Sequence, residues 1–163
     1  MSFPLNLPVD HLLTNHQKIL IAGAGGGFDV LAGLPLYAHL KAAGKYVHLA
    51  NYSFVDIDLA NMLNDDGEML IDDLLYGTRG PVKSQVPYFP EGYLAQWFTQ
   101  EQGQDVTIWM IAKAGVKEVR QAYRKLIEHL NIDAIILCDG GVDSLMRGDE
   151  EGPGTRIEDT VSI

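Results

Sequence analysis

An internal disulfide is closed to this chain, because Cys138 is the sole cysteine among 163 residues. An internal bridge needs two thiols, and a lone thiol suits a reducing compartment. Cationic residues are scarce as well: 12 Lys and Arg stand against 22 Asp and Glu, giving a formal net charge of -10. With no Lys/Arg stripe to offset it, such a field repels phosphodiester backbones, so nucleic acid is not an expected partner. Long apolar runs are missing too, and with them a membrane span. The opening residues carry no basic cluster and are interrupted by Pro4 and Pro8, unlike a secretory signal. The expectation is a soluble, cytoplasmic protein with no membrane partner.

What is present is ordinary globular usage, 47% hydrophobic and 21% charged, so disorder is not the default. A chain of this length forms one domain, residues 1–163, with a core that needs no metal or disulfide staple. Residues 1–17 read as an irregular lead-in, in which His11 and His16 are surface side chains. Lys18–Ala22 is the first strand. Its unbroken hydrophobicity predicts burial on both faces, as in a parallel sheet covered by helices. Helical spacing follows through Val30, Leu34 and Ala38 to a C-terminal cap at Gly44. Pro35 favours a short turn followed by a helix beginning near it over one kinked helix. Tyr46–Asn51 is a second strand, less uniformly apolar and so expected nearer an edge.

The acidic stretch from Asp56 to Asp73 reads as short helices or a small hairpin, without the residue order of a calcium loop. Gly77–Pro90 reads as an extended surface loop, and a helix starts from Glu91. Asp105–Ala112 is a third strand. Gly115–Leu130 is the clearest helix, with Val116, Val119, Tyr123, Leu126, Ile127 and Leu130 as its stripe. Ala134–Cys138 is a fourth strand, expected to be fully buried. Alternating strands and helices predict an α/β fold, Rossmann-like and doubly wound, with a mostly parallel sheet and helices on both faces.

Two turns carry the candidate chemistry. In the first, Gly23, Gly25, Gly26 and Gly27 run into Asp29; in the second, Asp139-Gly140-Gly141 is followed by Asp143, Ser144, Arg147, Asp149 and Glu150. Both follow apolar strands, so both belong at the carboxyl edge of the sheet, where open α/β folds bind ligands. Glycines there admit close backbone approach and present N–H groups to a ligand. Gly23-x-Gly25 begins like a dinucleotide fingerprint, but Phe28 replaces the third glycine. Asn51 stands where a ribose-binding carboxylate belongs, and there is no P-loop lysine. NAD is therefore not an expected cofactor, while Asn51 stays among the candidate ligand contacts.

Asp29 has two readings, a plain helix cap or a group facing hydroxyls, an amine or a metal-bound water. The acidic second turn suits Mg²⁺ or Mn²⁺, with Asp139, Asp143, Asp149 and Glu150 as oxygen ligands and Asp139 or Asp143 as general base. The alternative there is an Asp143 cap with the remaining acids in solvent. Ser144 has no neighbouring base, and Arg147 could pair with Asp149 or with an anionic ligand group.

Gly-Ala-Gly-Gly-Gly-Phe-Asp-Val together with Asp-Gly-Gly-Val-Asp-Ser-Leu-Met-Arg-Gly-Asp-Glu resembles domain-of-unknown-function family 1152. Gly33-Leu34-Pro35-Leu36-Tyr37 and Tyr88-Phe89-Pro90-Glu91 resemble parts of the same pattern. The resemblance implies a Rossmann-like protein with no assigned activity, in a family whose members run longer than this chain. A half-architecture would leave apolar surface open for a homo-oligomer. The expected function is metal-assisted catalysis on a nucleotide-like or other polar small molecule. A non-catalytic ligand-binding or sensor domain using the same cleft is the alternative, and an interaction module the third reading.

Overall fold

A computed structural model describes residues 7–141 and Val161. Its elements run α1 (Pro8–Leu12), β1 (Lys18–Gly23), α2 (Asp29–Ala32), α3 (Leu34–Ala42), β2 (Tyr46–Ser53), α4 (Ile57–Leu63), β3 (Glu68–Ile71), β4 (Leu75–Thr78), α5 (Pro90–Gln102), β5 (Ile108–Ala112), α6 (Val116–Leu130) and β6 (Ala134–Cys138). The six strands form one sheet in the order β3-β4-β5-β2-β1-β6. β5, β2, β1 and β6 are mutually parallel, and the β3–β4 hairpin adds an antiparallel edge. This is the mostly parallel α/β, Rossmann-like architecture that the strand–helix alternation predicts.

β1 is interior, between β2 and β6, and both its faces are apolar. Ile19 and Ile21 pack with Tyr37 and Leu40 of α3 and with Leu94 and Phe98 of α5. Leu20 and Ala22 pack instead with Val119, Ala122 and Leu126 of α6. Since successive strand residues point to opposite faces, α3 and α5 cover one side and α6 the other. All four of these β1 residues are fully buried, and each large side chain so buried contributes about 2 kcal/mol. Among the described residues, no helix is long and apolar enough to cross a membrane.

Several expectations need correction. β2 is interior, between β5 and β1. Its polar Asn51 and Ser53 lower the apparent hydrophobicity, yet both are buried. β6 is an edge strand rather than a fully buried one: Ile135 and Leu137 remain 38% and 39% exposed. The stripe of α6 is narrower than its sequence suggests, with Val119, Ala122 and Leu126 buried while Val116 and Ile127 are exposed. The anticipated loop from Gly77 starts two residues later, because Gly77 and Thr78 pair in β4 with Trp109 and Ile108 of β5. The lead-in holds a short helix, α1, opened by Pro8. Pro35 sits in the first turn of α3, behind the separate turn of α2, as the preferred of its two readings has it.

The pairing of β1 with β6 fixes the position of the site. The Asp133 carboxylate accepts the backbone N–H groups of Gln17 at 2.8 Å and Lys18 at 3.1 Å. The Asp133 N–H in turn donates to the Lys18 carbonyl at 2.8 Å. That clamp levels the two strands, and their register runs from Ile19 opposite Ala134 to Gly23 opposite Cys138. Both glycine-rich turns therefore leave the sheet side by side.

Candidate functional site

β1 leads through α2 and α3 to β2 on one side of it, whereas α6 brings the chain to β6 on the other. The connections thus diverge between β1 and β6, which makes their carboxyl ends the crevice where such sheets take ligands. Among the described residues, two hydrogen bonds join the turns there. The Ala24 N–H donates to the Cys138 carbonyl at 2.9 Å, and the Gly140 N–H donates to Asp29 Oδ1 at 3.1 Å.

Asp29 is not the cap of α2; it is the first residue inside that helix, behind Phe28. Its side chain is 8% exposed, and Oδ1 reaches across to the second turn instead of back along its own backbone. Burial and the Asp29 carboxylate together hold the Cys138 thiol above its ordinary value, so Cys138 is a poor nucleophile. Asp29→Asn is expected to bring that thiol part of the way down, read from the pH profile of alkylation. Asp29→Ala, which removes the acceptor altogether, should cost about 2 kcal/mol in thermal unfolding.

The first turn is largely closed. Gly23, Gly25 and Gly26 are buried, and Gly27 is half-buried. Gly26 and Gly27 have φ of 93° and 64°, a left-handed backbone that other residues rarely adopt. The Phe54 ring lies over Gly26: a Cβ there would meet its Cζ at 2.5 Å. The Lys113 ammonium sits 5.4 Å from the centre of that ring. Tyr88 borders Gly27 and meets Phe28 edge-on at 5.6 Å. Gly23, Gly25 and Gly26 thus shape the floor of the crevice, while Gly27, Asp139, Gly140 and Gly141 form its open rim. The Gly141 N–H donates to Asp139 Oδ1 at 2.7 Å, a local turn that holds the second loop. Asp143, Ser144, Arg147, Asp149 and Glu150 lie outside the described residues.

Asn51, expected as a ligand contact, is wholly buried instead. Its Nδ2 donates to the Gly27 carbonyl at 2.9 Å and to Glu91 Oε1 at 2.6 Å. Glu91, in the first turn of α5, is likewise fully buried. Local sequence pattern gives no hint of this, since an acidic residue just after a proline ordinarily marks an exposed helix start. Its place in Tyr88-Phe89-Pro90-Glu91 is the one available signal.

Burial raises the Glu91 carboxyl above the usual carboxylate range, against the Asn51 hydrogen bond and the nearby polar groups of its own backbone and Ser53, which lower it. The folded chain therefore holds a proton at Glu91 in a pH interval where the unfolded chain has released it. Stability contributed by that proton is full below the ordinary glutamate range and is lost as pH rises through the raised value. Glu91→Gln should flatten this part of the stability–pH curve, measured by denaturant unfolding from acid to neutral pH. An unchanged slope would mean that Glu91 titrates as an exposed residue does.

No protein-family model, no curated protein and no solved structure matches this chain.

Proposed function

We propose that this chain binds a polar, nucleotide-like small molecule in the crevice between the carboxyl ends of β1 and β6, as a member of the family that its two turns resemble. The observation that carries this reading is the junction of those turns, through Ala24 with Cys138 and Asp29 with Gly140. It sits where the sheet's connections part, with Gly27, Asp139, Gly140 and Gly141 as its exposed rim. Asp29 and Asp139 make that rim acidic. Hydroxyl or amine groups of a ligand suit it better than a bare phosphate, which two nearby carboxylates repel.

Metal-assisted catalysis with Mg²⁺ or Mn²⁺ is the enzymatic form of the proposal. It needs Asp139 to act with Asp143, Asp149 and Glu150. Among the described residues there is no group of three or more His, Cys, Asp or Glu that could hold a metal. Non-catalytic binding is favoured by a different observation: Asp29 Oδ1 and Asp139 Oδ1 both hold backbone N–H groups of the second turn. In that form both carboxylates organise the loop.

Mass spectrometry of small molecules released from the purified chain tests the binding reading. A hydroxyl- or amine-bearing metabolite at near-stoichiometric amount is expected, and Asp29→Ala should abolish its retention. Recovery of nothing in either sample, with no thermal shift against a nucleoside and nucleotide panel, would sink it. Titration with Mg²⁺ and Mn²⁺ in the calorimeter separates the two forms, since heat that Asp139→Asn removes belongs only to the metal-assisted one. A homo-oligomer and a cytoplasmic setting are further parts of the proposal. Among the described residues β6 is an edge strand and the surface that self-association would use, and sedimentation velocity showing a monomer removes that part.

A further inference from the structure

The geometry points to Glu91 as the positioning residue of the glycine-rich loop: through Asn51 it holds the Gly27 carbonyl turned into the protein. Its consequence for ligand binding rests on the function proposed above, but the linkage itself does not.

Asn51 has two amide hydrogens, and its Nδ2 serves one acceptor on each side, the Gly27 carbonyl at 2.9 Å and Glu91 Oε1 at 2.6 Å. Because both neighbours are acceptors, the amide has one sensible orientation, and a flip would set oxygen against oxygen. The peptide plane then decides the rest. With the Gly27 carbonyl drawn inward to Asn51, the Phe28 N–H of the same trans peptide points the opposite way. Letting go of that carbonyl frees the plane to rotate about Gly27 ψ, because a residue without a Cβ has few steric limits on that angle. Asn51 is thus a latch on the loop, and Glu91 fixes the latch from forty residues away.

A purely structural role explains Glu91 poorly. A helix start needs no buried carboxylate, and an isolated one is costly to desolvate. Satisfied hydrogen bonding would be the ordinary compensation, yet it is incomplete here. Glu91 Oε2 and Asn51 Oδ1 are both buried without a hydrogen-bond donor among the described residues. The Asn51 amide, already serving two acceptors, leaves the cluster short of donors. A network built only to hold the core would close its bonds or be apolar. Among the described residues the neighbouring groups add no cation: Tyr88 lies close enough for Glu91 and Asp29 to raise its hydroxyl, after burial, and Ser53 supplies a hydroxyl. What Glu91 retains is one acceptor at the distance that fixes Asn51.

Amide hydrogen exchange of the full chain, without any added ligand, tests this. Glu91→Gln keeps an oxygen for the Asn51 amide and should leave protection of residues 24–29 close to wild type. Glu91→Met fills similar volume with no such acceptor and should speed exchange in 24–29 by about tenfold, with β1 and α6 unchanged. Equal behaviour of the two variants, either both protected or both loosened throughout the core, would overturn the assignment. If Glu91→Met does not fold, the Asn51 side-chain amide protons of the wild-type protein decide the matter by NMR. Slow exchange that Glu91→Gln preserves supports the latch, and rapid exchange in the wild type rejects it. Because no ligand enters these measurements, a failed search for one counts against the proposed function and leaves the latch standing.

Discussion

Alanine at position 23 is expected to destabilise the protein by about 3 kcal/mol, the upper end for one extra methyl in a packed interior, and to open the candidate site. Backbone strain is not the reason, since Gly23 is not among the glycines with positive φ. Crowding is. A Cβ on Gly23 would lie 2.2 Å from Asn51 Oδ1, 2.6 Å from the Val30 nitrogen and 3.0 Å from the Asp29 carbonyl carbon. Two of these atoms are backbone of α2, and the third belongs to a side chain held by Gly27 and Glu91. None is the loose end of a flexible group. Relief requires the end of β1 to separate from α2, which pulls Asp29 away from the Gly140 N–H. A fall in melting temperature of about 8 °C should follow, with faster amide exchange across residues 24–29 and 139–141. A change below about 1 °C would show that the close approach of β1 to α2 does not exist in solution.

The parts of the fold legible in the sequence are those fixed by one continuous apolar signal. Ile19 to Ala22 announces a strand covered on both faces, and such a strand belongs in the interior of a parallel sheet. The glycines that follow it can be placed at the carboxyl edge because a buried strand must end in a turn. The same reasoning fails for β2 and β6, for opposite reasons. Asn51 and Ser53 are polar but buried because they are hydrogen-bonded within the interior, and hydropathy counts them as exposed. Ile135 and Leu137 are apolar but lie on an edge strand, and hydropathy counts them as buried. Periodicity reports side-chain chemistry; it does not report which neighbours the topology supplies.

The candidate site divides along the same line. That Asp29 is special can be read from its place after the glycines. That it bonds Gly140, 111 residues away, depends on the β1–β6 register, which a short clamp at Asp133 decides. Glu91 stands out only through the family resemblance, since no local pattern distinguishes a buried first-turn glutamate from an exposed one. Asn51 has the position that the sequence suggests and a different partner. It stands at the end of β2, where a ligand contact would stand, but its amide is turned to Gly27 and Glu91.

The largest loss of stability is expected from Trp109→Ala, about 4 kcal/mol, the range for emptying an aromatic site in a core. Trp109 is 2% exposed on β5 and packs with Leu20, Ala22 and Ala50 of the inner strands and with Ala122 and Leu126 of α6. Its ring occupies space that Gly77 on β4 leaves open: a Cβ there would meet Cζ3 at 2.8 Å. The edge of His129 closes the far side, with centroids 5.5 Å apart. Small residues on three strands and a helix have been fitted to one large ring, so collapse around alanine would be slight. The melting temperature should fall by about 12 °C.

Trp109→Phe should cost much less, about 1 kcal/mol. Phenylalanine retains most of the buried area and removes the indole N–H, which is buried without an acceptor among the described residues. Fluorescence gives an independent readout. Trp97, the other tryptophan, is 43% exposed, so either substitution should remove the blue-shifted component and leave emission typical of a solvated indole. Equal losses for alanine and phenylalanine would mean that the unpaired N–H finds a partner in solution. Small losses for both would mean that the ring is not packed between β4 and α6, and the core on that face of the sheet would have to be redrawn around a different residue.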